Sequence, residues 1–255
     1  MFIHLVTLGR VAYAEALEIQ RRVVSARKQN LIGDTLLLLE HPPVITLGRN
    51  ASRENILASD ELLARRGVEL HEINRGGDVT YHGPGQLVGY PIVDLRGEWP
   101  GKHGPHLGPV DFVRLLEEVL IRTCAEFGVM AKRIPKLTGV WTFAGGESTV
   151  TIPEKKLAAL GVHVSQAVTS HGFALNVTTD LRDFDWIIPC GIRDHGVTSL
   201  EQEAGAGVSM ARAIDATARN FGHVFHRQML AAESLDQLLA ALTFPCVDGP
   251  LKVRR

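Results

Sequence analysis

Arg75-Gly76-Gly77-Asp78-Val79-Thr80-Tyr81-His82-Gly83-Pro84-Gly85-Gln86 packs four glycines and one proline into twelve residues. Glycine lets backbone N–H groups come close to a ligand and allows turns at positive φ. The stretch is neither GxGxxG nor GxxxxGK followed by Ser or Thr, so it specifies no nucleotide phosphate site. On physics alone, a substrate-contacting loop and a structural hairpin are both open readings, because loops carry function and also merely connect. Taken by itself, His82 reads as a satisfied structural histidine.

The flanks supply the frame. Val68, Leu70 and Ile73 predict a strand leading into the loop. Leu87-Val88-Gly89-Tyr90-Pro91-Ile92-Val93 predicts a strand leaving it, placed at an edge or bulge by Pro91. Further upstream, Thr35–Leu39 reads as a short buried strand, His41-Pro42-Pro43 ends it, and Val44–Leu47 resumes as a second. Ser59 followed by an acidic-then-basic run and Gly67 suits a short capped helix. Residues 11–28 also read as a helix.

Downstream, 97–109 is rich in Gly, Pro and His and predicts an exposed loop. Val113, Leu116, Leu120, Cys124 and Phe127 repeat at helical spacing, and Gly128 stops the pattern. Gly139 to Val177 looks strand-rich around a polar turn at Ala144–Thr151. Ser209 opens a helix, and Ser234 opens a last one with capping-box spacing, so helices fill 209–242. With no repeat or linker, the reading is one continuous α+β domain over 1–255.

Composition excludes several classes. The chain has 255 residues, 45% hydrophobic and 22% charged, with net charge -1, so no global electrostatic case exists for nucleic acid. There is no basic-then-apolar leader at the start and no run of about 18 apolar residues that would span a bilayer. Three cysteines, Cys124, Cys190 and Cys246, lack CxxC spacing and point to a reducing cytoplasm. The eleven histidines show no HExxH-like spacing, and no metal is expected.

Cys190 lies in Trp186-Ile187-Ile188-Pro189-Cys190-Gly191-Ile192, between a proline that restricts its predecessor and a glycine that permits a sharp turn. A thiolate there could carry an acyl group as a thioester, although most free cysteines are simply buried. It would need an electropositive neighbour, and Lys155 and Lys156 are the candidates. In a strand, Lys156, Ala158 and Leu160 share one face and Lys155, Leu157 and Ala159 the other. A lysine so placed is ordinarily a solvated surface group. Cys124, on the helical stripe, reads as core.

The Arg75–Gln86 stretch resembles the signature loop of the lipoyl(octanoyl) transferases. Lys156-Leu157-Ala158-Ala159-Leu160-Gly161-Val162, His171-Gly172-Phe173-Ala174-Leu175-Asn176-Val177 and Pro189-Cys190-Gly191-Ile192 resemble that family's other blocks, in its order, and His41–Arg49 resembles its N-terminal block. The similarity covers roughly residues 3–201. It implies a mixed sheet flanked by helices, similar to the catalytic domain of biotin and lipoate protein ligases. It also implies octanoyl transfer from octanoyl-acyl carrier protein to a lysine of a lipoyl domain, whether of the 2-oxoacid dehydrogenases or of the glycine cleavage H protein, without a cofactor. By position, Cys190 matches the acyl-thioester cysteine and Lys156 the lysine that makes it more acidic. Arg75, Gly76, Gly77, Asp78, Val79, Thr80, Tyr81 and His82 match the acyl-substrate loop. Ala159, Leu160 and Gly161, with Gly172, Phe173 and Ala174, match two further substrate-lining segments. An ATP-dependent ligase and a non-catalytic acyl-binding homologue are the alternatives. Two stretches, 97–109 and 143–153, are longer than the family pattern, and the second leaves Lys155 as the fallback for Lys156.

Overall fold

A computed structural model describes residues 2–97, 99, 106–143, 153–191, 195–232 and 238. The elements in chain order are β1 (Phe2–Arg10), α1 (Tyr13–Lys28), β2 (Thr35–Glu40), β3 (Val44–Leu47), α2 (Asp60–Arg65), β4 (Glu69–Glu72), β5 (Val79–His82), β6 (Gln86–Ile92), α3 (Pro109–Ala125), β7 (Ala131–Ile134), β8 (Leu137–Thr142), β9 (Lys156–Ser165), β10 (Val168–Asn176), α4 (Leu200–Ala204), α5 (Met210–Phe225) and β11 (Gln228–Ala231). Most of the expected elements form. Ser59 caps α2 by accepting from the Leu62 N–H, and Pro109 occupies the first turn of α3, where its missing N–H costs nothing. The last helix, from Ser234, and most of the 97–109 and 143–153 stretches lie outside the described residues, as do Ile192 and Cys246.

The described strands form two sheets. The larger has the order β11-β1-β2-β6-β10-β9-β8-β7 and the smaller β4-β3-β5. Pairing in the larger sheet is parallel for β11-β1-β2 and antiparallel from β2 onward, which makes the sheet mixed. The all-apolar run of β2 explains its central place, because it feeds two cores at once. Leu36 and Leu38 pack with Leu116 and Leu120 of α3 and Phe221 and Phe225 of α5. Leu37 and Leu39 pack on the other side with Ala16 and Val23 of α1. The small sheet has its own core of Ile45, Val79, Tyr81, Leu63, Phe184 and Ile187.

Pro91 departs from the sequence expectation. β6 lies between β2 and β10, not at an edge. The strand tolerates proline because the β6–β10 ladder ends at Phe173↔Gly89, so no partner is left waiting for the missing N–H. The Pro91 carbonyl instead accepts the Thr169 hydroxyl at 2.7 Å.

The alternation expected for β9 is also broken. Val140 pairs with Ala158 but Trp141 pairs with Lys156, so β9 spends two residues where β8 spends one. This bulge sends both Leu157 and Ala158 into the α3–α5 core. Lys156 is thereby released to the face of Ala159 rather than that of Ala158 and Leu160.

The two sheets meet at the loop between β4 and β5. The Gly76 N–H donates to the Val162 carbonyl of β9 at 3.1 Å, which lays residues 75–78 across the large sheet as a roof.

Candidate active site

Cys190 sits in a single 3₁₀ turn, Pro189–Gly191, at φ 56 and ψ 22. That left-handed conformation is costly for a residue with a Cβ and persists only where the surroundings impose it. They do so through main-chain bonds to residues 55–58. The Ile188 N–H donates to the Asn55 carbonyl at 2.8 Å, and the Leu57 N–H to the Trp186 carbonyl at 2.8 Å. Asp78 completes the brace. Its carboxylate accepts from the Asn55 amide at 2.6 Å and from its neighbour's N–H, Val79, at 2.7 Å. Asp78 therefore ties the roof loop to the cysteine turn.

Under the roof lies a cavity. Cys190 stands in its wall with Arg75, Gly77, Asp78, Thr80 and His82 from the roof side. From the large sheet come Ala159, Leu160 and Gly161, with Gly172, Phe173 and Ala174. Thus most of the residues singled out from sequence converge on one space. Three residues of the Arg75–His82 loop do not face it. Val79 and Tyr81 alternate with Thr80 and His82 along β5 and point into the core of the small sheet, where the Tyr81 hydroxyl donates to Asp183 at 2.5 Å. Gly76 contributes its N–H to the tie with Val162 rather than to the cavity wall.

Lys156, only 5% exposed, shares a smaller adjoining cavity with Cys190, Ala159 and Ala174. Its ammonium lies 4.7 Å from the centre of the Trp141 ring, a cation–π contact. The Trp141 ring meets His195 edge-on at 5.2 Å, and the His195 Nδ1–H donates to the Glu154 carbonyl at 3.1 Å. Lys155 stands outside β9 and lines neither cavity. A second cation is present. Arg75 donates to the Thr46 carbonyl and hydroxyl at 2.8 and 2.9 Å, has no salt-bridge partner among the described residues, and leaves its Nε unpaired. Burial lowers its pKa, opposed first by the favourable charge of a Cys190 thiolate.

The far wall is aromatic. Tyr13 stacks on His82 with centroids 6.1 Å apart. The proton order around His41 follows from its partners. Its Nδ1 faces the Val11 carbonyl at 2.8 Å and must donate, so Nε2 accepts the Tyr90 hydroxyl at 2.7 Å. Burial is the largest cause in pushing His41 and His171 down to about 4 and His82 to about 3. All three imidazoles are neutral at physiological pH. His82 is oriented by Gln86 at 2.7 Å, Gln86 by Asn176 at 2.9 Å, and Asn176 by the Thr198 carbonyl at 2.9 Å.

Sequence reasoning missed Tyr13, Val88 and Tyr90 as cavity residues. Tyr90 had a usable signal: a polar-tipped aromatic in an otherwise apolar strand next to a glycine. Tyr13 had none, because its partners lie on distant segments. Chemically, the site offers a thiol held in a strained turn, two cations and a mostly apolar slot closed by uncharged groups. No His, Cys, Asp or Glu group among the described residues could hold a metal ion. No described helix is long and apolar enough to cross a membrane.

Comparison with known proteins gives the family and the fold. A family model described as the lipoyl protein ligase A/B catalytic domain matches residues 12–222. An octanoyltransferase of Acidobacterium capsulatum is 59% identical over 244 residues, covering 95% of this chain and 98% of that one. An octanoyltransferase of Koribacter versatilis is 54% identical, covering 93% and 90%. Among solved structures, the bi-partite lipoate protein ligase of Thermoplasma acidophilum superposes with TM-score 0.68 at 17% identity, covering 95% of this chain and 92% of that one. A lipoate-protein ligase A bound with ATP also gives TM-score 0.68, at 15% identity, covering 95% and 94%. At these identities the two structures speak for the fold alone.

Proposed function

This chain belongs to the lipoyl protein ligase A/B catalytic domain family, and we propose that within it the protein is an octanoyltransferase working through an acyl group carried on Cys190. The observation that carries the mechanism is the convergence of Cys190, on its strained turn, with Lys156 and the mouth of an apolar slot.

The reaction runs in two halves. The Cys190 thiolate, favoured by the neighbouring ammonium of Lys156 and guanidinium of Arg75, attacks the thioester carbon of octanoyl-acyl carrier protein. The C–S bond to the carrier breaks, and the carrier thiol leaves with a proton. One thioester has replaced another, so no external energy source is required. The neutral amine of a lipoyl-domain lysine then attacks the Cys190 thioester. The amide forms, the C–S bond breaks, and the Cys190 thiolate is regenerated. Lys156 gives its Nζ proton to the departing carrier thiol in the first half and, left neutral, takes one from the attacking amine in the second; Arg75 stays charged. The octanoyl chain lies in the slot between the roof and β9–β10, where each buried methylene contributes about 0.8 kcal/mol.

The test is intact-mass measurement after mixing the protein with octanoyl-acyl carrier protein. One octanoyl group should appear on Cys190, resist washing, and depart when a lipoyl domain is added. Transfer that requires ATP, or an acyl group that acceptor cannot discharge, would instead support the ligase or the non-catalytic reading.

A further inference from the structure

The acyl cavity and a second cleft have one side chain in common. The cleft lies between α1 and the far end of β9 and β10, and His171 stands in the walls of both. Leu17, Gln20, Val24 and Lys28 of α1 face the cleft, with Ile73 and Val168. His171 has left the strand's alternation. Leu175 packs in the α3–α5 core and Phe173 in both that core and the cavity wall, while His171, at φ 56, borders the cavity with Gly172 and Ala174. Strain of this kind is held by specific partners. Here the ring Nε2–H donates to the Asn74 side-chain oxygen at 2.8 Å, and the His171 backbone N–H donates to the Gln20 side-chain oxygen at 2.9 Å. The residue is 4% exposed and its Nδ1 is buried without a hydrogen-bond partner.

Length then decides its role. Ala174 is the residue of β10 that lines both the acyl cavity and the small cavity holding Lys156 and Cys190, so the thiol end of the slot is counted from it. From Ala174 to His171 is three strand steps, about 10 Å at roughly 3.3 Å each. An octanoyl chain extended from its carbonyl carbon has seven C–C bonds of about 1.5 Å, which in staggered form advance about 9 Å. We infer that His171, braced by Asn74 and Gln20, is the partition that sets acyl-chain length, ending the slot where the eighth carbon falls and separating it from the cleft beyond. A longer chain must displace the ring or fold back. The inference rests on Cys190 being the acyl carrier.

Glycine suits φ 56 without strain, so His171→Gly opens the partition and leaves the backbone relaxed. Single-turnover loading of Cys190 is measured with octanoyl- and decanoyl-acyl carrier protein, in wild type and variant. The decanoyl-to-octanoyl rate ratio should rise about tenfold in the variant, the factor that burial of two further methylenes supplies. Asn74→Ala, which frees the ring and leaves β10 untouched, should shift the ratio in the same direction by less, and it decides the matter if the glycine variant does not fold. An unchanged ratio in a folded variant would assign the stop to Tyr13 and Tyr90 and overturn the inference while leaving acyl transfer intact. Wild type that loads neither chain would instead overturn the reading of Cys190.

Discussion

Two regions of the molecule each hold a cysteine, and they treat it in opposite ways. Cys124 lies on the core stripe of α3, fully buried among Leu116, Leu120 and Phe221, and burial pushes its thiol up to about 12. Cys190 lies in a left-handed turn at a cavity wall, half-buried, beside Lys156 and Arg75. The residue type is the same; the setting of one suits a small hydrophobe, and the setting of the other suits the nucleophile proposed above.

The harshest way to break this contrast is to remove each thiol. Cys190→Ser should lower transfer by about three orders of magnitude or more, since a hydroxyl in the same place is far less ionised. Cys124→Ala should retain full turnover and cost about 1–2 kcal/mol of stability, read by urea denaturation. Turnover by the serine variant at the wild-type rate would end the nucleophile assignment.

The next test leaves both thiols in place and disturbs the slot. A Cβ on Gly161 would fall 2.6 Å from the Gly76 carbonyl oxygen, so Gly161→Ala must lift the roof. Loading of Cys190 should slow by about a hundredfold, as small misplacements of a reacting group do, with circular dichroism unchanged. Gly77→Val is a poorer probe, because Gly77 has φ 90 and a β-branched residue there strains the loop itself.

Charge comes third. Lys156→Ala should slow iodoacetamide alkylation of Cys190 at pH 7 by about tenfold, a nearby opposite charge being worth that much or more. Lys155→Ala should leave the rate within experimental scatter, and Cys124 should stay unmodified in all three proteins until they are unfolded. If the two lysine variants exchanged behaviours, the role would pass to Lys155.

The smallest effect is on stability against pH. His82 and His171 line the acyl cavity and His41 lies behind its Tyr13 and Tyr90, with values lowered from 6.5 to about 3, about 4 and about 4. Below pH 6.5 the unfolded chain takes up protons that the folded chain refuses. Stability therefore falls as pH drops from there toward the folded values. The melting temperature should decline between pH 7 and pH 4.5, and less steeply in His171→Asn, which tolerates the same backbone region. A decline as steep as wild type would remove His171 from the account.

What could be read from sequence follows from what is local. The α2 cap at Ser59, the β2 run of leucines and the α3 stripe each announce themselves within a few residues, and each forms. β1 and β11 were not anticipated. They pair with each other across more than two hundred residues, and no pattern in either short run signals it. The same division holds at the site. Cys190 and the Arg75 loop are marked by glycine and proline, but the bulge at Leu157 that turns Lys156 toward the thiol depends on pairing with β8. Val79 and Tyr81 belong to the same motif as Thr80 and His82, yet strand alternation points them the other way. Tyr13 and Tyr90 reach the cavity through partners from α1, β6 and the residue after β2, which contiguous sequence does not disclose.

The tie between Gly76 and Val162 bears on which parts of the sequence are free to drift over evolutionary time. It uses one amide hydrogen and one carbonyl oxygen, so it is blind to the side chains at both positions. A Cβ on Gly76 would meet nothing nearer than the Val162 carbonyl oxygen at 3.5 Å, an ordinary contact. Position 76 should therefore accept any residue but proline, despite standing in the most glycine-dense stretch of the chain. Gly161, which contributes no hydrogen bond to the tie, tolerates no substitution, because any side chain there strikes the roof. Alanine should therefore cost far more at position 161 than at position 76.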